Sequence, residues 1–122
     1  MSESILKTKS YNFALRIVRF FQFLRKEKKE YVLSKQILKS GTAIGALIRE
    51  AEFGQSRADF VNKMQISLKE ANETDYWLNI LRDTGYINDK MFQSLDDDCQ
   101  ELIRLLVATV KTAKKRITNG EE

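Results

Sequence analysis

Between Ser34 and Ala51 the chain reads SKQILKSGTAIGALIREA, and its apolar and small residues recur at the spacing of one helix face. Gly41 and Gly45 lie one turn apart in this stretch, although glycine inside a helix costs roughly 1 kcal/mol relative to alanine. We expect a neighbouring helix to compensate by packing a bulky side chain closely against the two glycines. A phosphate-binding role is disfavoured, because the glycines follow no strand and lie inside the helix instead of before its first turn.

Apolar residues at helical spacing predict three further helices in this chain. No proline interrupts them, and the four predicted helices cover about residues 10–26, 32–53, 56–84 and 88–117. Ser10, Ser56 and Asn88 are the predicted N-caps of the first, third and fourth helices. The charged run RKEKKE predicts an exposed connection between the first two helices. Because no strand pattern occurs, we predict one all-α domain over residues 1–122, an antiparallel up-down-up-down four-helix bundle.

The chain has no histidine and one cysteine, Cys99, which excludes histidine-dependent nucleophilic catalysis, an internal disulfide and a cysteine-based zinc site. We predict a non-enzymatic protein with no catalytic residues, no cofactor and no metal. Cys99 lies on an apolar stripe and is interpreted as a small buried hydrophobe. An enzyme that holds Mg²⁺ with Glu70, Glu73 and residues 96–98 is disfavoured, because these three aspartates point in different directions around the fourth helix.

The first and third helices carry apolar residues on two faces, which is more than a four-helix core requires. Surplus apolar faces commonly mark an interface, so we predict a homo-oligomer built through these helices. The predicted interface residues are Leu15, Phe23, Ile66, Tyr76, Trp77 and Ile80. The alternative is that Phe23 and Trp77 are scattered surface aromatics. Asp75 and Arg82 fall near the core-facing side of the third helix, where they either pair with other helices or indicate a rotated helix.

Positive charge is concentrated near the N-terminus. The chain carries a formal +4, and residues 1–30 carry eight basic against three acidic residues, or +5. Basic groups and an aromatic ring on one surface can neutralise phosphates and stack an unpaired base. The alternative is that these basic residues only solvate a helix face. The candidate nucleic-acid-binding residues are Arg16, Arg19, Phe23, Arg25, Lys26, Lys28 and Lys29.

The run at 34–51, followed by SRADFVNKMQISLKEANETDYWLNILRDTGYI, resembles the bacterial four-helix-bundle proteins encoded in intervening sequences of 23S ribosomal RNA genes. The similarity extends from KSYNFALRIV near the N-terminus through the last helix. The resemblance implies a bundle that assembles into a ring-like homopentamer. It also implies distant similarity to the accessory variability determinant of diversity-generating retroelements, a basic pentameric barrel that binds nucleic acid beside a reverse transcriptase.

Two positions depart from the pattern of this family. Leu47 stands where the family often has Asn, and Arg49 stands where it often has a small residue. If that Asn takes part in a polar network between helices, the network is absent or altered here. Three acidic positions that the family shares are open to either a structural or a ligand-binding interpretation: Glu50, Glu70 and Glu73.

Two functions remain open at this point. The first is an oligomeric module that binds the backbone of RNA or DNA, since no helix-turn-helix, zinc-finger or RNA-recognition signature is present. The second is a structural or protein–protein interaction module with no nucleic-acid role. A reverse transcriptase is a further partner if the gene belongs to a retroelement. We expect a cytoplasmic protein without a membrane partner, because no apolar run approaches ~20 residues and MSESILKTKS lacks the apolar core of a secretory signal.

Overall fold

The computed structural model describes residues 2–120, with side chains from residue 5 onward. Within that range it contains four helices and no strand, which confirms the predicted all-α bundle. The ends of the predicted domain, residues 1 and 121–122, lie outside the described residues. The helices are α1 (Ser2–Lys26), α2 (Leu33–Glu52), α3 (Arg57–Asp83) and α4 (Asp89–Thr118).

Contacts between the helix ends show that consecutive helices run in opposite directions. Lys7 near the start of α1 pairs with Glu52 at the end of α2, with 3.2 Å between Nζ and Oε2. Lys63 near the start of α3 pairs with Glu50, also near the end of α2, at 3.1 Å. Helix α4 packs on α3 and closes the bundle against α1. The architecture is therefore an up-down-up-down bundle in which each helix contacts its two neighbours.

The close approach expected at the glycines of α2 is made by α1. A Cβ atom added to Gly41 would lie 2.8 Å from Cγ1 and 2.9 Å from Cγ2 of Ile17. A Cβ added to Gly45 would lie 3.2 Å from the hydroxyl oxygen and 3.3 Å from the carbonyl oxygen of Ser10. Ile17 is fully buried at this contact. The two missing side chains thus let the backbone of α1 approach that of α2.

The predicted start of α1 is wrong. The helix begins at Ser2 and Ser10 lies in its interior, where its hydroxyl donates to the Lys7 carbonyl at 3.2 Å instead of capping the chain. Leu6 precedes Phe13 by two turns and is fully buried, so the apolar stripe extends back past the apparent cap. The other two predicted N-caps are confirmed, because the side chains of Ser56 and Asn88 accept hydrogen bonds from backbone N–H groups three residues later.

Glu30 is an exception to the predicted exposed connection, since it is only 6% exposed. Its carboxylate accepts backbone hydrogen bonds from Leu33 at 2.9 Å and from Ser34 at 2.6 Å. The hydroxyl of Ser34 donates to the Glu30 carbonyl at 2.9 Å. Glu30 therefore satisfies the first N–H groups of α2, where the helix dipole also favours a negative charge.

Asp75 and Arg82 of α3 both contact α4. Thr74 is fully buried, whereas Asp75 beside it is only partly buried and accepts a hydrogen bond from Gln100 of α4 at 3.2 Å. The guanidinium carbon of Arg82 lies 4.0 Å from the ring centroid of Phe92, also on α4. Both charged residues thus pair with α4, as one of the two interpretations of the sequence required.

We predict that Gly41→Ala lowers the free energy of unfolding by about 1–2 kcal/mol, because the overlap with Ile17 outweighs the gain in helix propensity. In an Ile17→Ala background the same change should become stabilising, since the overlap is gone and the propensity gain of up to about 1 kcal/mol remains. Urea unfolding of the four variants of this cycle measures both effects. Ala46→Gly at an exposed position of α2 calibrates the propensity term. A stabilising Gly41→Ala in the wild-type background would contradict the packing of α1 on α2.

Candidate nucleic-acid interface

A groove lies between α1 and α4, the least closely packed pair of neighbouring helices. Its cavity volume is about 510 Å³. Residues one turn apart on each helix face each other across it, so that both helices contribute basic and apolar groups. The lining residues are Arg16, Arg19, Phe20 and Phe23 of α1 with Lys90, Met91, Ser94 and Leu95 of α4.

The floor of the groove is apolar. Phe20 and Leu95 are each 5% exposed and belong to the core, whereas Phe23 and Met91 are partly exposed and pack against it. The Phe20 and Phe23 rings are near-parallel, with 6.4 Å between centroids and 16° between planes. Phe23, a predicted interface residue, is therefore partly buried against the core beside the loose α1–α4 contact.

Arg16 does not offer a free charge at the groove. Its Nη1 donates to Asp98 Oδ2 at 2.7 Å and to the Ser94 carbonyl at 3.0 Å, and its Nη2 donates to the Ser94 hydroxyl at 2.8 Å. These contacts join α1 to α4 and place a carboxylate beside the guanidinium. Arg16 therefore links α1 to α4 at the groove.

Arg19 and Lys90 flank the groove with exposed side chains. Neither takes part in an ion pair, a hydrogen bond or a ring contact among the residues that the structure describes. Arg19 was a candidate from sequence, whereas Lys90 was missed. No sequence signal identifies Lys90, because its position beside α1 depends on the register between the first and last helices.

The remaining candidates divide between two places. Lys28 extends over the Phe23 ring, with 5.9 Å from Nζ to the centroid, and so lies beside the groove. The guanidinium carbon of Arg25 lies 5.3 Å from the Phe21 centroid and 5.2 Å from that of Tyr31. These two contacts put Arg25 in a separate shallow depression.

Lys26 lines the same depression as Arg25. Lys29 lies in the connection between α1 and α2, with a φ of 54°. The structure therefore does not gather all seven candidate residues into one site.

The six predicted interface residues are unequally exposed. Leu15 and Tyr76 are 38% and 56% exposed, whereas Ile66 and Ile80 are partly buried. Trp77 packs against the core and donates from Nε1 to a Glu73 carboxylate oxygen at 3.0 Å. The single bundle thus accommodates part of the surplus apolar surface that the sequence suggested.

Two exposed neighbours of the predicted Leu15 on α1 were missed. Tyr11 and Val18 are 53% and 37% exposed and lie one turn before and one turn after Leu15. The three residues, which we call the α1 strip, share one face of the helix.

Two of the three shared acidic positions, Glu50 and Glu73, have side-chain partners inside the chain. Glu50 pairs with Lys63, and Glu73 accepts from Trp77. Burial, followed by repulsion from Glu73, raises the pKa of Glu70. Among residues 2–120, no group of three or more histidine, cysteine, aspartate or glutamate side chains is arranged to hold a metal ion.

Cys99 is fully buried, and its thiol donates to the Ala71 carbonyl at 3.3 Å. Burial is the main reason that the pKa of this thiol is raised. The described part of the chain contains no helix that is both long and apolar enough to cross a membrane.

Together these features define a class of protein: an all-α four-helix bundle with a basic-rimmed apolar groove between its first and last helices. The chain belongs to the family of the 23S rRNA-intervening sequence protein, whose model matches residues 2–108. It is 54% identical to a protein of unknown function from the S23 ribosomal protein family of Bacteroides thetaiotaomicron VPI-5482, known from a crystal structure. The match covers 91% of this chain and 99% of that one, with a TM-score of 0.90. No curated protein matches the chain. Neither description names an enzymatic activity.

The Asp75–Asp96 pair on the α3–α4 side generates a pH prediction. Burial, followed by a side-chain hydrogen bond with Asp75 and repulsion from it, raises the pKa of Asp96 from 3.8 to about 7. The unfolded chain then loses this proton near pH 4 while the folded chain keeps it, so stability falls as pH rises from about 4 to about 7 and remains low above that. We expect a loss of about 1–2 kcal/mol, because partial exposure to solvent screens the effect.

Urea unfolding at about pH 4.5 and about pH 8 measures this loss. Asp96→Asn should gain stability relative to wild type at the higher pH and little at the lower one. Asp97→Asn is the matched control, since Asp97 is exposed and is the smallest of the causes that raise the pKa of Asp96, so most of the wild-type pH dependence should remain. Parallel pH profiles for wild type and Asp96→Asn would contradict the raised pKa of Asp96.

Proposed function

We propose that this protein binds nucleic acid through its phosphate backbone, using the groove between α1 and α4. The observation that carries the proposal is the pair of exposed cations, Arg19 and Lys90, that flank the groove without partners among the described residues. When a cation that has no carboxylate beside it neutralises a phosphate, the counterions condensed on the nucleic acid are released, and this release drives association. The proposed binding is tolerant of sequence, because no element of the bundle carries a known base-reading motif.

The charge distribution supports the same proposal. The formal +5 of residues 1–30 lies mostly on α1, the helix that supplies half of the groove. Lys28 and Lys26 continue the positive charge beyond the groove toward the connection to α2. The name of the family refers to ribosomal RNA, although it states no binding activity.

We further propose that copies of the chain assemble, which would multiply weak phosphate contacts. The α1 strip provides a contiguous apolar face, and Tyr76 provides exposed apolar surface on α3. The resemblance described above favours a ring-like homopentamer, and five copies at +4 each would carry +20. A protein–protein interaction module is the second candidate function. The exposed apolar α1 strip favours it, because such a surface can bind another protein.

Loss of the two groove cations should weaken binding. We expect Arg19→Ala/Lys90→Ala to raise the Kd for structured RNA and duplex DNA about tenfold at about 50 mM salt, and to reduce the slope of log K against log salt by about 1–2. Filter binding over a salt series measures both quantities. Lys111→Ala/Lys114→Ala, at the far end of α4, removes the same charge from exposed positions and should have a smaller effect. Absence of binding by the wild-type protein at low salt would refute the proposal.

The assembly proposal makes its own prediction. Leu15→Glu places a charge in the middle of the α1 strip and should convert the oligomer to a monomer without loss of helix content. Sedimentation velocity measures the mass, and circular dichroism checks the fold. Val107→Glu is the control, because Val107 is 41% exposed on α4 and lies outside the strip. A wild-type protein that sediments as one chain at all concentrations would rule out the assembly.

A further inference from the structure

The groove between α1 and α4 combines two chemistries that one ligand must match. Its floor is apolar, with Phe20, Phe23 and Met91 among its residues, and its rim carries the exposed Arg19 and Lys90. Its volume of about 510 Å³ falls within the range of about 300–1,000 Å³ that small-molecule sites occupy. A matching ligand is therefore a flat apolar group that carries negative charge on both sides.

We propose that the groove accepts one unpaired base of a single-stranded nucleic acid, with the neighbouring phosphates on Arg19 and Lys90. The inference rests on the proposed nucleic-acid binding and specifies the kind of strand that is bound. In a duplex the bases are stacked on one another, so the phosphates could reach the rim but nothing would fill the floor. An unpaired base has a free face, and stacking on aromatic side chains is tolerant of sequence.

The contacts of Phe23 fit this role. One neighbour, the Phe20 ring, is near-parallel at 6.4 Å and belongs to the buried core, so it supports Phe23 from within. The other, Lys28 Nζ, lies 5.9 Å from the Phe23 centroid on an exposed side chain. A phosphate beside the groove would draw the Lys28 ammonium away from the ring and leave that ring for a base. The same lysine then changes from an aromatic contact to a phosphate contact.

Charge decides between a nucleic acid and a second copy of this chain as the occupant. Arg19 and Lys90 on the rim, with Lys28 beside it, favour an occupant that is negative along its whole length, as a nucleic acid is, over a second copy of this basic chain. Like charges brought together at an interface oppose association. Arg16 does not change this balance, because Asp98 already neutralises it.

The test separates the base from the phosphates. Fluorescence anisotropy at low salt compares three labelled probes of about 12 nucleotides: an oligothymidylate, an abasic strand with the same number of phosphates, and a duplex. We expect the full-length wild-type protein to bind the oligothymidylate about 5- to 100-fold more tightly than the abasic strand. Phe23→Leu keeps an apolar side chain on the floor but removes the ring, and should bring this ratio close to one while binding of the abasic strand stays unchanged. Arg19→Ala should weaken binding of both single strands equally.

Phe21→Leu is the matched control, since Phe21 is an α1 aromatic that lies outside the groove and contacts Arg25. Circular dichroism and thermal unfolding show whether each leucine variant is folded. Equal affinity of the wild-type protein for the oligothymidylate and the abasic strand, or tighter binding of the duplex, would overturn the base site and leave the proposed backbone binding intact. An equal loss in Phe21→Leu and Phe23→Leu would also overturn it. If no probe binds at low salt, the proposed function fails as well.

Discussion

The contact of Ile17 with the bare backbone of α2 at Gly41 determines how the first helix sits in the bundle. Each glycine gives up roughly 1 kcal/mol of helix propensity, and close packing of two helices offsets that loss. Helix α1 thus packs closely against α2 and less closely against α4 on its other side, where the groove lies.

The seam between α1 and α4 is held in a different way from the rest of the core. Arg16 bridges it through Asp98 and Ser94, and Lys9 Nζ lies 3.3 Å from Glu101 Oε2 farther along. Exposed ion pairs contribute about 0–1 kcal/mol each, whereas a buried aliphatic side chain contributes about 1.5–3 kcal/mol. The seam is therefore held at separate points instead of being filled along its length, and the apolar floor lies beyond Arg16, on the side away from Lys9.

The apolar period and the helix caps allowed much of this fold to be predicted. The stripe of α2, the caps Ser56 and Asn88 and the lack of any strand pattern lead to four helices by local rules alone. Local rules failed where a side chain contacts residues of the next helix. Ser10 has the residue type of an N-cap, but in the structure it packs against Gly45 of α2. Glu30 belongs to a charged run that predicts an exposed connection, yet its carboxylate accepts hydrogen bonds from three backbone N–H groups at the start of α2.

The charges of the candidate site also could not be assigned from local sequence alone. Arg16 and Arg19 are of one residue type, lie three positions apart on one helix and line one groove, so the sequence treats them alike. The register of α4 separates them, because it brings Asp98 and Ser94 within hydrogen-bond distance of Arg16, whereas no described carboxylate forms an ion pair with Arg19. Net charge therefore overstates what the surface can offer a phosphate, and the relevant quantity is the number of cations without a carboxylate beside them. By that measure the groove carries two such cations among the described residues, Arg19 and Lys90. Both flank an apolar floor that water solvates poorly, which is a favourable position for binding a phosphate.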